Sequence, residues 1–332
     1  MESKLKDFFY VAFVFKKIAA PLSGFLIFFM KLLEKLVEIH APSGEEAAMK
    51  DFILDYVIKN QHSWKRRPEI IHGEEFLDCL ILVFGKPRTA VFAHMDSVGF
   101  TVRYQNQLVP IGGPEVQPGY VLTGKDALGP IDCRLEVDED HSLTYYFGRG
   151  IASGTSLVFK NNFRNTKDYV QSPYLDNRLG VYNALKLAEN LENGIIVFSS
   201  WEEHGGGSVP ILAKYIYENY KVRQALISDI TWVTEGVHPG EGAAISMRDR
   251  NIPRKAYIDR IIDIATSSSI PFQIEVEGNG SSDGRELQTS PYPFDWCFIG
   301  APEEHVHSPD EKVHKNDIQS MLDLYELLME KL

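Results

Sequence analysis

Five short segments of the sequence carry the side chains that could do chemistry. They are AHMD at 93–96, LDNR at 175–178, WEEH at 201–204, SD at 228–229 and HVHS at 305–308. Their histidines and carboxylates are of the types that bind divalent cations. Hydrolysis with two cations needs a carboxylate that touches both, further ligands for each, and a separate carboxylate that takes a proton from water. The five segments contain each of these parts.

Four of the candidate residues also have simpler structural explanations. His94 follows an apolar run, and Asp96 is close enough to orient its ring, although both could simply be buried polar groups. Asp176 precedes a predicted helix, where it could bridge two cations or only cap the helix. Asp229 follows the run QALIS and could bind a cation or only end a strand.

The glutamate pair at 202 and 203 is the sharpest local signal. Adjacent carboxylates at a buried strand end repel each other unless a cation or a proton is present, so a solvated loop is the simpler alternative. We interpret one glutamate as a metal ligand and the other as a general base. In HVHSPDE, side chains that alternate along an extended chain let only one of His305 and His307 face the metals. The HSPDE context favours His307.

Apolar and helical patterns predict the elements that must position these residues. Strands are predicted at 80–84, 90–93, 194–200, 224–229 and 296–300, and helices from Met30 to about residue 40 and at 179–192, 209–219, 253–266 and 317–332. Alternating strands and helices predict an α/β fold with a largely parallel sheet, whose site lies at the carboxyl ends of the strands. His94, Glu202, Glu203 and Asp229 all follow such runs.

Residues 100–171 have a different pattern, with short alternating strands and frequent turn signals. We interpret them as a small all-β barrel inserted into a catalytic domain made of residues 30–99 and 172–332. Residues 1–29 are apolar, but Lys16, Lys17 and Pro21 interrupt them, so neither run could span a bilayer. They are either a translation-start artefact or a peripheral anchor, and a membrane partner is not expected.

Composition narrows the class of protein further. The 332 residues carry a net charge of −12, which argues against a nucleic-acid partner. Three separated cysteines lack the spacing of a thiolate metal site and indicate free thiols in a reducing compartment. We therefore expect a cytoplasmic enzyme.

Eight motifs in order resemble metallopeptidase family forty-two, the glutamyl, leucyl and deblocking aminopeptidases that form tetrahedral particles. They are AHMDSVGF, VRYQNQLVPIGG, SPYLDNRLGVYNAL, IVFSSWEEHG, ALISDITWV, GEGAAISMRDR, GSSDGRELQ and HVHSPDE. The resemblance runs from about Met30 to the C-terminus. It implies a zinc-peptidase-like mixed sheet flanked by helices, with an inserted barrel or PDZ-like domain that mediates dimerisation. It also implies a homo-oligomer, either a dimer or a dodecamer.

The resemblance assigns roles to the candidate residues. It implies that one metal is held by His94, Asp176 and Asp229, and the other by Asp176, Glu203 and His307. Asp176 would bridge, Glu202 would be the general base for a metal-bridging water, and Asp96 would position His94. Two zinc or cobalt ions are expected per subunit.

The implied function is removal of N-terminal residues from short peptides. Two alternatives remain: a dinuclear deacylase of N-acyl amino acids, and a metal-binding scaffold without catalysis. Glu304 and His305 stand where the family usually has an Arg-Tyr or similar pair, so the preferred N-terminal residue cannot be transferred. Glu304 would favour basic or neutral residues, whereas Arg285 would favour acidic ones.

Overall fold

The computed structural model describes residues 22–332, with side chains described from residue 30 onward. Most of the predicted extension at 1–29 lies outside the described residues. The first helix begins at Leu22, earlier than the predicted start at Met30. Within residues 22–332, no helix is both long enough and apolar enough to cross a membrane.

Seven α-helices and seventeen strands make up the described part of the chain. The helices are α1 Leu22–Val37, α2 Ala47–Asn60, α3 Leu175–Asn190, α4 Val209–Tyr220, α5 Lys255–Thr266, α6 Asp283–Thr289 and α7 Lys315–Lys331. The strands are β1 Glu69–Ile71, β2 Leu80–Phe84, β3 Ala90–His94, β4 Gly99–Val102, β5 Leu108–Ile111, β6 Val121–Asp126, β7 Gly129–Val137, β8 Leu143–Tyr146, β9 Ser156–Phe159, β10 Arg164–Asn165, β11 Tyr169–Gln171, β12 Gly194–Ser199, β13 Gln224–Trp232, β14 Ala243–Arg248, β15 Phe272–Val276, β16 Asp295–Glu304 and β17 Lys312–His314.

The larger sheet has eleven strands and a parallel centre. Its order is β1-β2-β12-β3-β13-β16-β17-β11-β10, with β14 pairing to β16 and β15 pairing to β14. The neighbours β12, β3, β13 and β16 run parallel, so their carboxyl ends meet at one edge. The predicted α/β fold with a largely parallel sheet is confirmed.

Helices cover both faces of this sheet because successive strand side chains point to opposite sides. On β3, Val91 packs into the core that contains α1, α2, α3, α5 and α7, whereas Phe92 packs into the core that contains α4 and α6. Helix α3 lies so close to β13 that a Cβ built on Gly180 would be 2.1 Å from the Ser228 carbonyl oxygen. The glycine therefore permits the approach of a helix that carries a candidate ligand.

The smaller sheet is a separate antiparallel structure of six strands, in the order β5-β4-β9-β6-β7-β8. A bridge between Gln107 and Thr144 brings its two outer strands together, and buried side chains such as Phe100, Leu122 and Phe159 fill the interior. The small all-β barrel that the sequence predicts here is confirmed as a separate barrel-like sheet. Strands β10 and β11, although inside the range 100–171, pair with the large sheet through β17.

Two strands of the large sheet are longer than the sequence predicted. Strand β13 continues past Asp229 to Trp232, and β16 continues past Gly300 to Glu304. The two extensions pair with each other, with Ile230 opposite Ala301 and Trp232 opposite Glu303. Asp229 therefore lies within a strand rather than at its end. The residues of β13 that follow it, 230–232, extend the sheet beyond this candidate ligand.

Candidate metal centre

The candidate ligands come together at the carboxyl edge of the parallel strands. His94 is the last residue of β3, Asp229 lies on β13, and Glu203 follows β12 in a short turn. Asp176 lies in the first turn of α3, and the peptide bond between it and Asn177 is cis. Together with His307, which lies in the turn after β16, they bring five segments that are far apart in sequence to one place.

The first group consists of His94, Asp176 and Asp229. The Nε2 atom of His94 lies 3.3 Å from Oδ1 of Asp176 and 3.4 Å from Oδ2 of Asp229. All three residues are buried. One ligand atom from each lies within 4.8 Å of the others, which is close enough for one cation to contact all three.

The second group consists of Asp176, Glu203 and His307. The Nε2 atom of His307 lies 3.2 Å from Oδ2 of Asp176 and 3.0 Å from Oε2 of Glu203. These ligand atoms also lie within 4.8 Å of one another. Asp176 therefore offers Oδ1 to one group and Oδ2 to the other, which is the geometry of a bridging carboxylate.

His307 and His305 occupy different environments. Both lie in a turn after β16 and have positive φ angles, so the alternation expected for an extended strand does not apply. His305 is exposed, whereas His307 reaches the second group. The Nδ1 atom of His307 lies 3.1 Å from the carbonyl oxygen of Gly113. When Nδ1–H donates to that carbonyl, Nε2 is left free to bind a cation.

Asp96 acts mainly on the glutamate turn. Its Oδ1 accepts a hydrogen bond from the Glu202 amide at 3.1 Å, and its Oδ2 accepts from the Glu203 amide at 3.0 Å. Its distance to Nδ1 of His94 is longer, at 3.4 Å. Burial alone would raise the pKa of Asp96, but His94 and the hydrogen bonds from Ser43 and the Glu203 amide lower it. Asp96 therefore holds both glutamates in place as a carboxylate.

Three residues that were not among the predicted ligands also position the site. Glu311 accepts hydrogen bonds from the amides of Asp176 and His307, each at 3.1 Å. Ser282 donates to Oδ2 of Asp229 at 2.7 Å, and Glu46 accepts from the amide of Trp201 at 3.0 Å. Glu311 could have been found in HSPDE, because it ends the motif that contains His307.

The electrostatics of the site fit divalent cations. Burial raises the pKa of Glu203 to about 7, with a further contribution from the nearby Asp176, although His307 opposes it. Burial also raises the pKa of Glu202 well above its ordinary value. One oxygen of Glu203, Oε1, is buried without a hydrogen-bond partner. A divalent cation would offset the mutual repulsion of these buried carboxylates. The mixed set of imidazole and carboxylate donors suits zinc-like ions.

The pKa values of the two ligand histidines are also raised, although burial opposes the rise. Burial alone would lower the pKa of His307, but the charge of Glu203 and the hydrogen bond to Asp176 raise it. Burial would likewise lower the pKa of His94, yet Asp229 and Asp176 raise it. In the absence of a cation, both rings therefore favour a proton, and metal binding must displace that proton.

Comparisons with known proteins identify relatives of the chain. Residues 131–324 match the family model described as M42 glutamyl aminopeptidase. A curated relative from Acetivibrio thermocellus, named as an inferred aminopeptidase, is 30% identical over 327 residues, covering 88% of this chain and 96% of the relative.

Solved structures share the fold at lower identity. An aminopeptidase from the archaeon Desulfurococcus kamchatkensis superposes with a TM-score of 0.79 at 21% identity, covering 93% of this chain and 96% of that one. The TET1 peptidase of Pyrococcus horikoshii, which can assemble into a tetrahedron or a large octahedral shell, superposes with a TM-score of 0.77 at 22% identity. That match covers 92% of this chain and 100% of the TET1 chain.

The two neighbouring histidines allow a matched test of the second group. We expect His307→Ala to weaken zinc binding at that group on the order of 100-fold, because a direct ligand should matter at least as much as the residues that support one. His305→Ala should bind as the wild type does, because its side chain is exposed. Calorimetric titration of the chelator-treated proteins with zinc measures both, and equal binding by the two variants would contradict the assignment.

Proposed function

The chain belongs to the M42 glutamyl aminopeptidase family and is a hydrolase that acts on peptides, and we propose that it is an aminopeptidase with a two-metal site. It would use zinc or cobalt and remove N-terminal residues from short peptides. The observation that carries the proposal is the position of Asp176, whose two oxygens each face a separate group of one imidazole and one further carboxylate. A single-metal site has no need of this arrangement.

The ligand residues define what the bound metals would do. When bound, two divalent cations polarise the carbonyl group of the scissile peptide bond and make a water molecule more acidic. His94, Asp176 and Asp229 would hold one, and Asp176, Glu203 and His307 the other. Asp96 and Glu311 keep these ligands in place through backbone amides.

Glu202 is proposed as the general base. It belongs to neither ligand group, yet it lines the same cavity as Asp176, Glu203 and Asp229. Burial raises the pKa of Glu202, and a carboxylate with a raised pKa accepts a proton more readily than an ordinary glutamate. Glu202 takes a proton from the attacking water and passes it to the leaving amine.

Restriction to the first residue follows from the charge of the cavity. Besides the ligands, the cavity is lined by carboxylates that belong to neither metal group, among them Glu202 and Glu277, and these attract the positively charged N-terminus of a peptide. An acylated N-terminus has no such charge. This distinguishes the aminopeptidase from the alternative deacylase of N-acyl amino acids.

We expect the metal-loaded protein to release a free amino acid from an unblocked tripeptide and none from the N-acetylated form. Amino-acid analysis of the two reactions measures the difference. A deacylase would instead release acetate from N-acetyl amino acids, and a scaffold without catalysis would act on neither substrate. Either of these results would contradict the proposed function.

Replacement of the base should separate catalysis from metal binding. We expect Glu202→Gln to lower kcat by about 100- to 10,000-fold, because the amide cannot accept the proton. Zinc content should be unchanged, because Glu202 is outside both ligand groups. Glu235→Gln is the matched control, since Glu235 is exposed and does not line the cavity. Full activity of Glu202→Gln would remove this residue from the mechanism.

We also propose that the chain is a homo-oligomer that assembles through the small sheet within residues 100–171, while residues 30–99, residues 172–332 and the strands β10 and β11 form the catalytic domain. Leu128 and Tyr146 on the small sheet leave 78% and 71% of their surfaces exposed, and such apolar groups favour an interface. The structurally similar TET1 peptidase can assemble into a tetrahedron or a large octahedral shell. Light scattering gives the mass in solution and separates a dimer from a dodecamer, and a monomer at micromolar concentration would overturn the proposal.

A further inference from the structure

The cavity at the metal centre extends beyond the ligands along the outer part of β13. It has a volume of about 100 Å³ and is lined on this side by Thr231, Trp232, Asp249, Glu275 and Glu277. The extension therefore offers a place next to the metal centre for the side chain of a substrate.

The cavity is built to receive a ligand and is not only a patch of acidic surface. Glu203 lines it, its side chain is only 3% exposed, and its Oε1 atom has no hydrogen-bond partner. Asp249 and Glu275 are also buried, at 7% and 3% exposure. Their carboxylates are not part of either metal-binding group found among residues 22–332. Asn251 donates hydrogen bonds to Asp249, and Thr231 donates one to Glu275, so these carboxylates are held in place without being neutralised.

The spacing along β13 matches the length of a basic side chain. Thr231 is two residues beyond the ligand Asp229 on the same face, a separation of about 7 Å in a strand. Thr231 donates a hydrogen bond to Glu275. The carboxylate of Glu275 therefore lies next to Thr231, about 7 Å along the strand from the metal ligand Asp229. The four-carbon stem of lysine spans roughly 6 Å between Cα and its nitrogen.

The residues that line the cavity suit both the hydrocarbon stem and the positively charged end of a basic side chain. Trp232 and Phe298 supply apolar surface for a hydrocarbon stem, and the Trp232 ring can also attract a cation. Asp249, Glu275 and Glu277 supply negative charge, and burial raises the pKa of both Asp249 and Glu275. Among the described residues, those that line the cavity include no lysine or arginine. A bound cation would therefore offset charge that the protein leaves unpaired.

Neither residue that the sequence suggested for specificity lines this cavity. Glu304 forms an ion pair with Lys312 at 2.7 Å, and Arg285 is 3.8 Å from Glu286. The Nε atom of Arg248 donates to the backbone carbonyl of Asp249, at 3.0 Å, and not to a lining carboxylate. The acidic wall therefore remains available to a substrate.

We propose that this cavity selects peptides whose N-terminal residue is lysine or arginine. The inference rests on the proposed aminopeptidase function and adds its substrate class. Asp249, Glu275 and Glu277 are the specificity-determining residues, and they receive the ammonium or guanidinium group. A substrate with an N-terminal glutamate would meet repulsion from the same wall.

The test compares lysine with norleucine, which has a similar stem but no ammonium group. For the metal-loaded wild type, we expect kcat/KM on the lysine anilide to exceed that on the norleucine anilide by about tenfold or more, as for a charged hydrogen bond. Glu277→Gln should remove most of this ratio, whereas Glu235→Gln should keep it. Glu277 is only half-buried, so its replacement should not prevent folding.

A binding measurement separates this inference from the proposed function. Calorimetry with free L-lysine and L-norleucine should show tighter binding of lysine to the wild type and loss of that difference in Glu277→Gln. Equal binding, or faster turnover of the norleucine or glutamate anilide, would overturn the specificity even if the protein is an aminopeptidase. Preferential lysine binding without turnover of any anilide would support the cavity and contradict the proposed function.

Discussion

The structure around the site depends on one constraint, which is that several carboxylates are buried together. Asp176 contacts both histidines, while Glu203 and Asp229 each contact one. Buried carboxylates repel one another, and two imidazoles cannot neutralise all of them. The surrounding protein must therefore hold the carboxylates at fixed positions and leave room for cations between them.

Backbone hydrogen bonds meet this requirement. Asp96 and Glu311 each accept two amide hydrogen bonds from residues that carry or adjoin the ligands. The fully buried Arg178, two residues after Asp176, donates to the carbonyl oxygens of Met95 and Asp96. These hydrogen bonds connect the start of α3 to the segment after β3. The positive charge of Arg178 also offsets part of the negative potential of the buried carboxylates. These residues contact no substrate, yet they determine where the ligands lie.

The barrel-like sheet is also connected to the site. The carbonyl oxygen of Gly113, in the loop after β5, lies next to His307, and the amide of Gly112 donates to Nδ1 of His204 at 2.9 Å. The inserted strands thus contact both the histidine turn and the glutamate turn.

The sequence by itself determined the fold class and the identities of the candidate ligands. Both depend on local patterns: apolar runs predict strands, and polar residues such as His94 and Glu203 at their ends predict a site at one edge. Only the tertiary structure decided which oxygen of Asp176 faces which histidine, why His307 and not His305 reaches the site, and which residues form the wall beyond Asp229. These features depend on pairing between distant strands, as in the extension of β13 along β16, and on hydrogen bonds such as those of Glu311. Contacts between residues far apart in the chain leave no periodic signal in the sequence.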